Sequence, residues 1–304
     1  MTGGPAGGSC VPSGSGRGSA WRCRGVRWVS GRAVWAWEGG RHSDLPHGSA
    51  LGFGVVGERR CPGVRGHPCP VRGVLDPRTT GGLCAECGRL DRMASIAADT
   101  LSDDLRVFRV YLAWFGPGLV KVGITAEERG GTRLLEQGAV AYTWLGRGAL
   151  MAARRTEAVL GAALGLPDRI PYAAKRAARV HLPGPGARRS AVEALYGHAV
   201  RVGGWGETLE RLPLGVQDHG EVFGLLRLGR LDGVVRALAA GCVVRGTLLA
   251  VAGPDLHLRL PEGGQHVVLD SRLVAGWELV RAGAGDGPEP AVEPVGTEEQ
   301  DGLF

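Results

Sequence analysis

The sequence predicts an α+β protein with a small mixed α/β core, a four-cysteine segment and an additional β-rich, barrel-like region. Three observations carry this. From Val107 to Leu164 the pattern runs strand, strand, helix, strand, helix. Cys61, Cys69, Cys84 and Cys87 share one stretch poor in large apolar residues. On either side, Trp21 to Val56 and Glu221 to Val280 read as short strands separated by turn residues.

In chain order, residues 1–20 are rich in Gly, Ser and Pro and are expected to be disordered. Trp21 to Glu38 alternates as a hairpin turning at Ser30-Gly31, and Leu51 to Val56 forms a further strand. The cysteine segment follows, to about Leu90. Val107 to Leu112 and Leu119 to Ile124 form a hairpin across the four residues Phe115 to Gly118. A short helix covers Thr132 to Gln137, a strand Ala139 to Leu145, and a longer helix Leu150 to Leu164, stopped by Gly165 and Pro167. Ala191 to Val202 reads as a helix, and a last hairpin turns at Glu262-Gly263-Gly264. The expected organisation is therefore 1–20 disordered, 21–60 strands, 61–90 cysteine module and 105–180 core. It continues with 181–281, a helix followed by β-structure, and 282–304, an acidic disordered tail.

At 304 residues the chain exceeds one average domain. No stretch approaches the roughly 18 apolar residues of a spanning helix, and the N-terminus has no export core, so a cytoplasmic protein without a membrane partner is expected. The odd count of seven cysteines argues against a disulfide framework. The net charge of +6 is unevenly spread. Leu105 to Arg189 holds 14 Lys/Arg and 5 Asp/Glu, whereas Ala282 to Phe304 holds six acidic residues and no basic ones. A basic middle is compatible with a polyanion partner, and equally with a solvated arginine-rich surface.

The cysteines follow the spacing C-x7-C-x14-C-x2-C. A Cys84-x-x-Cys87 pair on a tight turn, relieved by Gly88, can place two thiolates on a tetrahedral ion, and Cys61 and Cys69 complete four-coordinate structural zinc. A segment with so little apolar content needs such a cross-link to fold. His67 is expected behind the ligands or on the surface, and Cys10, Cys23 and Cys242 are ordinary thiols.

On the helix from Leu150 to Leu164, positions 150, 153, 157, 160 and 164 share one seam, and Glu157 is its only charge. A carboxylate there needs a partner, either a cation such as Arg133 or a divalent metal. The plain alternative is an Arg-Glu pair that fixes helix to sheet.

The segments Val110-Tyr111-Leu112, Lys121-Val122-Gly123-Ile124-Thr125 and Arg133 to Gln137 resemble the GIY-YIG nuclease superfamily. Tyr111 stands at the tyrosine of its first motif and Gly123 at the glycine of its second, with Lys121 in place of that motif's tyrosine. Arg133 matches the helix arginine, Gln137 occupies the usual histidine position, and Glu157 matches the metal-binding glutamate. Over most of 21–280 the chain also resembles a bacterial and archaeal family called domain of unknown function 2797. The shared features are the His67-Pro68-Cys69-Pro70 turn, the four cysteines and the Lys121 to Thr125 hairpin.

The superfamily resemblance implies phosphodiester cleavage. Glu157 would hold Mg2+ or Mn2+, Arg133 would clamp phosphate, and Tyr111 would take a proton from water. Lys121 would lower the Tyr111 pKa or contact phosphate. Arg129, Arg154 and Arg155 could follow a nucleic-acid backbone. Three functions stay open: a nucleic-acid-binding endonuclease, a binding module that has lost cleavage, and a zinc-stabilised scaffold for a protein partner.

Overall fold

The computed structural model describes residues 19–93, 104–283 and 286–295. The expected N-terminal disorder and Cys10 lie outside these residues. Among the described residues, no helix is long and apolar enough to cross a membrane.

Two sheets organise the chain. The larger has ten strands, drawn from both ends of the sequence. Four precede the cysteines: β1 (Trp21–Val29), β2 (Arg32–Trp37), β3 (His42–Asp44) and β4 (Ala50–Val56). Six come late: β10 (Gly233–Val235), β11 (Val243–Ala252), β12 (Asp255–Arg259), β13 (His266–Asp270), β14 (Glu278–Arg281) and β15 (Val292–Pro294). The order is β15-β10-β13-β12-β11-β4-β14-β1-β2-β3. All neighbours are antiparallel except β10 and β13. The late β-rich region therefore shares a sheet with the N-terminal strands. That sheet does not close: its path ends at β15 and β3, so the barrel expectation is corrected. Strand β15 also falls within 282–304, correcting the expectation that this whole tail is disordered; its three residues pair with β10.

Between β4 and β10 the chain builds the second sheet, from β5 (Phe108–Gly116), β6 (Leu119–Ala126), β7 (Ala141–Gly148), β8 (Glu210–Arg211) and β9 (Gln217–Asp218). Strand β5 is central, antiparallel to both β6 and β7. The β5–β6 turn is shorter than expected, because Gly116 pairs with Leu119 and leaves only Pro117-Gly118 between them. Gly118 takes a positive φ of 70°, which glycine adopts without strain.

Helices α2 (Thr132–Gln137) and α3 (Leu150–Leu164) match their expected bounds, and each ends on a left-handed glycine, Gly138 and Gly165. Helix α5 runs Pro185–Ala199, earlier than expected, with Pro185 opening its first turn. Helices α1 (Ala85–Met93), α4 (Tyr172–Arg179), α6 (Gly220–Phe223) and α7 (Ser271–Val274) were not anticipated.

Alternation along β5 divides the core. Phe108, Val110, Leu112 and Trp114 join the main apolar cluster with Leu150, Ala153 and Leu160 of α3. Tyr111, Ala113 and Phe115 face the other way and pack with Leu134, Ala139, Tyr142 and Ile170. This second face carries Tyr111 and, opposite Ala113, Lys121.

The two sheets are bolted together by charge. From α4, Arg176 Nη2 reaches Asp255 Oδ1 at 2.6 Å and Asp270 Oδ2 at 2.7 Å, while Arg179 Nη1 meets Asp255 Oδ2 at 2.5 Å. Asp255 is fully buried, so two guanidiniums are what keep it ionised: burial pushes its pKa up, and the arginines bring it below the usual range.

Candidate functional site

Cross-strand register sets the first site. Tyr111 pairs with Gly123 and Ala113 pairs with Lys121, so Tyr111 and Lys121 are diagonal neighbours on one face of the sheet. The Tyr111 ring lies across Gly123: a Cβ there would sit 2.3 Å from Oη and 2.4 Å from Cζ. Glycine is required at this point because an aromatic ring occupies the side-chain space.

Helix α2 covers the same face. Gln137 Nε2 donates to Tyr111 Oη at 2.8 Å. Arg133, one turn earlier, lies close enough to oppose the upward pKa shift that burial imposes on Tyr111. The expectation that Lys121 lowers this pKa is therefore corrected, since burial outweighs the neighbouring cations.

Lys121 and Glu157 are half-buried and shift in opposite directions. Burial pushes Lys121 down and Glu157 up, and each is the leading charged group opposing the shift of the other. Lys121 Nζ donates to the main-chain oxygen of Asp168 at 2.6 Å. Glu157 makes no ion pair among the described residues and stays half-buried on α3. Tyr111, Lys121, Arg133 and Glu157 are thus brought within electrostatic reach of one another, with Gln137 and Asp168 beside them. A partly exposed guanidinium, a half-buried carboxylate and a primary amine in such proximity can bind an anion.

The three outlying arginines are placed differently. Arg154 is near enough to oppose the rise in the Glu157 pKa. Arg129 donates to Glu136 at 2.5 Å, and Arg133 also lies 3.8 Å from that carboxylate. Arg155 is exposed, with Nε 3.4 Å from the Gly204 carbonyl.

Sequence reasoning missed Lys175, although it is one of only two lysines in the chain. It is 5 % exposed, donates to the Gln137 carbonyl at 3.0 Å, and sits 4.0 Å over the Phe115 ring. Burial lowers its pKa to about 7, with Arg179 adding to the shift. Asp168 was missed because only a main-chain atom is used, and side-chain patterns carry no signal for that.

The second site is the cysteine cluster. The Sγ atoms of Cys61, Cys69, Cys84 and Cys87 all lie within 4.8 Å of one another. Sulfur ligands about 2.3 Å from a tetrahedral ion stand roughly 3.8 Å apart, close to the 3.6 Å between Cys69 and Cys84. Amides of Gly63 and Cys84 point at Cys61, and those of Val71 and Gly73 at Cys69. Such donors stabilise thiolates, as does the first turn of α1, which carries Cys87. The donor set fits a metal ion such as zinc and has no open ligand position built from other residues. His67 is exposed and bridges to Val64 through its main chain.

Arg59 ties this module to the large sheet. It is 1 % exposed and donates to the carbonyls of Ala275, Asp76, Thr79 and Arg272 at 2.6–2.9 Å.

A family model described as Protein of unknown function (DUF2797) matches residues 77–279, more than half of the chain. The match takes in the second sheet, its clustered side chains, Cys84 and Cys87, and it begins after Cys61 and Cys69. No curated protein matches the chain, and no solved structure does.

Proposed function

The chain belongs to the family described as Protein of unknown function (DUF2797), whose description names no activity, and we propose from the site alone that it binds nucleic acid and hydrolyses phosphodiester bonds on a GIY-YIG-like core. The observation that carries the proposal is that Tyr111, Lys121, Arg133 and Glu157 lie within electrostatic reach of one another. The strand-strand-helix-strand-helix order with β5 central supports the same reading.

Glu157 is the group that would hold Mg2+ or Mn2+. Its side chain has no ion-pair partner among the described residues, and Mg2+ characteristically takes one or two carboxylates and keeps its other ligands as water. When bound, the ion supplies charge stabilisation at the phosphate and leaving oxygen. Arg133 clamps the phosphate through its planar fork. Tyr111, its oxygen already accepting from Gln137, directs its own proton toward the attacking water or the phosphate. Lys121, which donates to the Asp168 carbonyl at 2.6 Å, contacts the phosphate as a cation. The water oxygen bonds to phosphorus as the bond to the leaving oxygen breaks, and the water proton passes to Tyr111 Oη as the phenol proton passes to a phosphate oxygen.

One observation favours the second reading, binding without cleavage: Tyr111 is only 2 % exposed. Purified protein with labelled DNA or RNA and Mg2+ or Mn2+ separates the two. Cleavage should fall at least ~100-fold in Glu157→Ala and Arg133→Ala, with folding unchanged. Cleavage equal in all three proteins identifies a contaminant and leaves the binding module. Absence of binding even at low salt removes both nucleic-acid readings and leaves the protein-interaction scaffold.

A further inference from the structure

A hollow of about 370 Å3 lies between the cysteine loops, β1 and α7, and Glu136 of α2 lines its far end. It is outside the tyrosine cluster but shares α2 with it, since Glu136, 3.8 Å from Arg133, lines the hollow. From the hollow's walls Arg24, Arg27, Arg65 and Arg272 contribute four positive charges against Asp91 and Glu136.

The wall bearing Arg24 departs from regular strand structure. Cys23 pairs with Trp37 but Val26 pairs with Trp35, so β1 carries an extra residue at Arg24-Gly25. Gly25 takes a φ of +86° and packs against Ala275. Bulges of this kind re-aim a side chain. Here the bulge holds a half-buried arginine whose Nε is buried without a hydrogen-bond partner among the described residues. Arg24 lines the hollow and makes no ion pair among the described residues, so an anionic oxygen there can pair with its guanidinium. Arg27, three residues on, is exposed and makes no ion pair among the described residues. The other cations already have anions nearby, since Arg65 lies 3.4 Å from Asp91 and Arg272 2.6 Å from Asp270.

We propose that this hollow receives one nucleotide unit of a single-stranded nucleic acid, with its phosphate on Arg24 and Arg27, and that the strand continues over α2 to the tyrosine cluster. The inference rests on the nucleic-acid reading above. Its volume is at the lower end of small-ligand sites, about 300–1,000 Å3, so it takes one unit of a strand and excludes a duplex. The mixture of charges favours a nucleotide over an acidic peptide. A nucleotide brings phosphate to the arginines and a base amino group to Asp91 or Glu136, whereas a peptide carboxylate meets those two groups as like charges.

The test uses the full zinc-loaded chain and fluorescence anisotropy with a labelled single strand, a hairpin duplex of the same sequence and poly-glutamate. The single strand should bind at least ten-fold more tightly than the duplex. Arg24→Gln with Arg27→Gln should weaken it at least ten-fold and flatten the slope of log K against log salt by about 0.7, the value for one lost phosphate contact. Arg189→Gln with Arg201→Gln removes the same charge from exposed positions outside the hollow and should leave binding near wild type. Zinc content and unfolding temperature check the folding of each variant; if the Arg24 change disturbs them, Arg27→Gln alone should still weaken single-strand binding and flatten the slope, by less than about 0.7. Equal losses in both double variants, no loss in the first, or equally tight duplex binding overturns the hollow and leaves the proposed function standing. Binding of neither nucleic acid, with or without capture of poly-glutamate, overturns both.

Discussion

At the scale of single residues, Gly123 and Tyr111 form an interlocked pair. Any side chain at 123 collides with the ring, and the ring belongs to a packed face that cannot withdraw freely. Gly123→Ala should destabilise the protein by about 1–3 kcal/mol, the usual cost of overpacking. Adding Tyr111→Ala should recover much of that loss, because the two changes share one space. Denaturant unfolding of the single and double variants measures the coupling, and additive effects would show that the ring lies elsewhere. This pair was only half legible in the sequence: the hairpin was visible, but the expected four-residue turn sets Tyr111 opposite Val122, and the tighter turn with its irregularity between Trp114 and Gly116 sets it opposite Gly123. The Gln137 bond to Tyr111 was less legible. Gln137 was visible only as a substitution at a histidine position, and its amide reaches the phenol through the placement of α2.

At the scale of elements, α4 is where sequence reasoning failed most clearly. Its buried positions include Lys175, Arg176 and Arg179, and its remaining residues are largely alanine. A search for apolar periodicity reads such a segment inside out, since charge faces the protein here. The carboxylates that make this tolerable, Asp255 and Asp270, lie more than seventy residues away in sequence, as the ion pairs show. Lys175 has no such partner within hydrogen-bonding distance and rests on a carbonyl and aromatic rings. That has a pH consequence. An unfolded lysine keeps its proton up to about pH 10.4, whereas folding lowers this pKa to about 7. Between those values the unfolded chain binds more protons, so this residue makes stability rise with pH across the window. Its contribution is complete above the unfolded pKa and is lost as pH falls through about 7. Lys175→Met should flatten that part of the stability–pH profile and raise stability at neutral pH by about 1–3 kcal/mol. An unchanged profile would show that Lys175 stays charged in the folded protein.

At the scale of the whole molecule, the cysteine module is attached through Arg59 to the α7 corner rather than standing free. Removing the metal with a chelator, or with Cys84→Ser, should release about one zinc per chain. Hydrogen exchange should then rise over 59–90 and also over 271–276, where Arg59 is anchored. Strands β5–β7, which have their own core, should stay protected. Protection unchanged at 271–276 would mean that Arg59 does not couple the two regions. The four cysteines were readable from spacing alone, because ligand geometry is local. The ten-stranded sheet was readable only in outline, as a late β-rich region that the N-terminal strands could join, since its pairings link residues from opposite ends of the chain. Strand β4 has both neighbours, β11 and β14, in the last quarter of the sequence. During synthesis, β1 to β3 can pair with one another, but β4 leaves the ribosome without either neighbour and β1 without β14, and the second sheet and its helices emerge before those late strands are made. The inserted unit can fold first, while the early strands wait with open edges that a chaperone would need to shield.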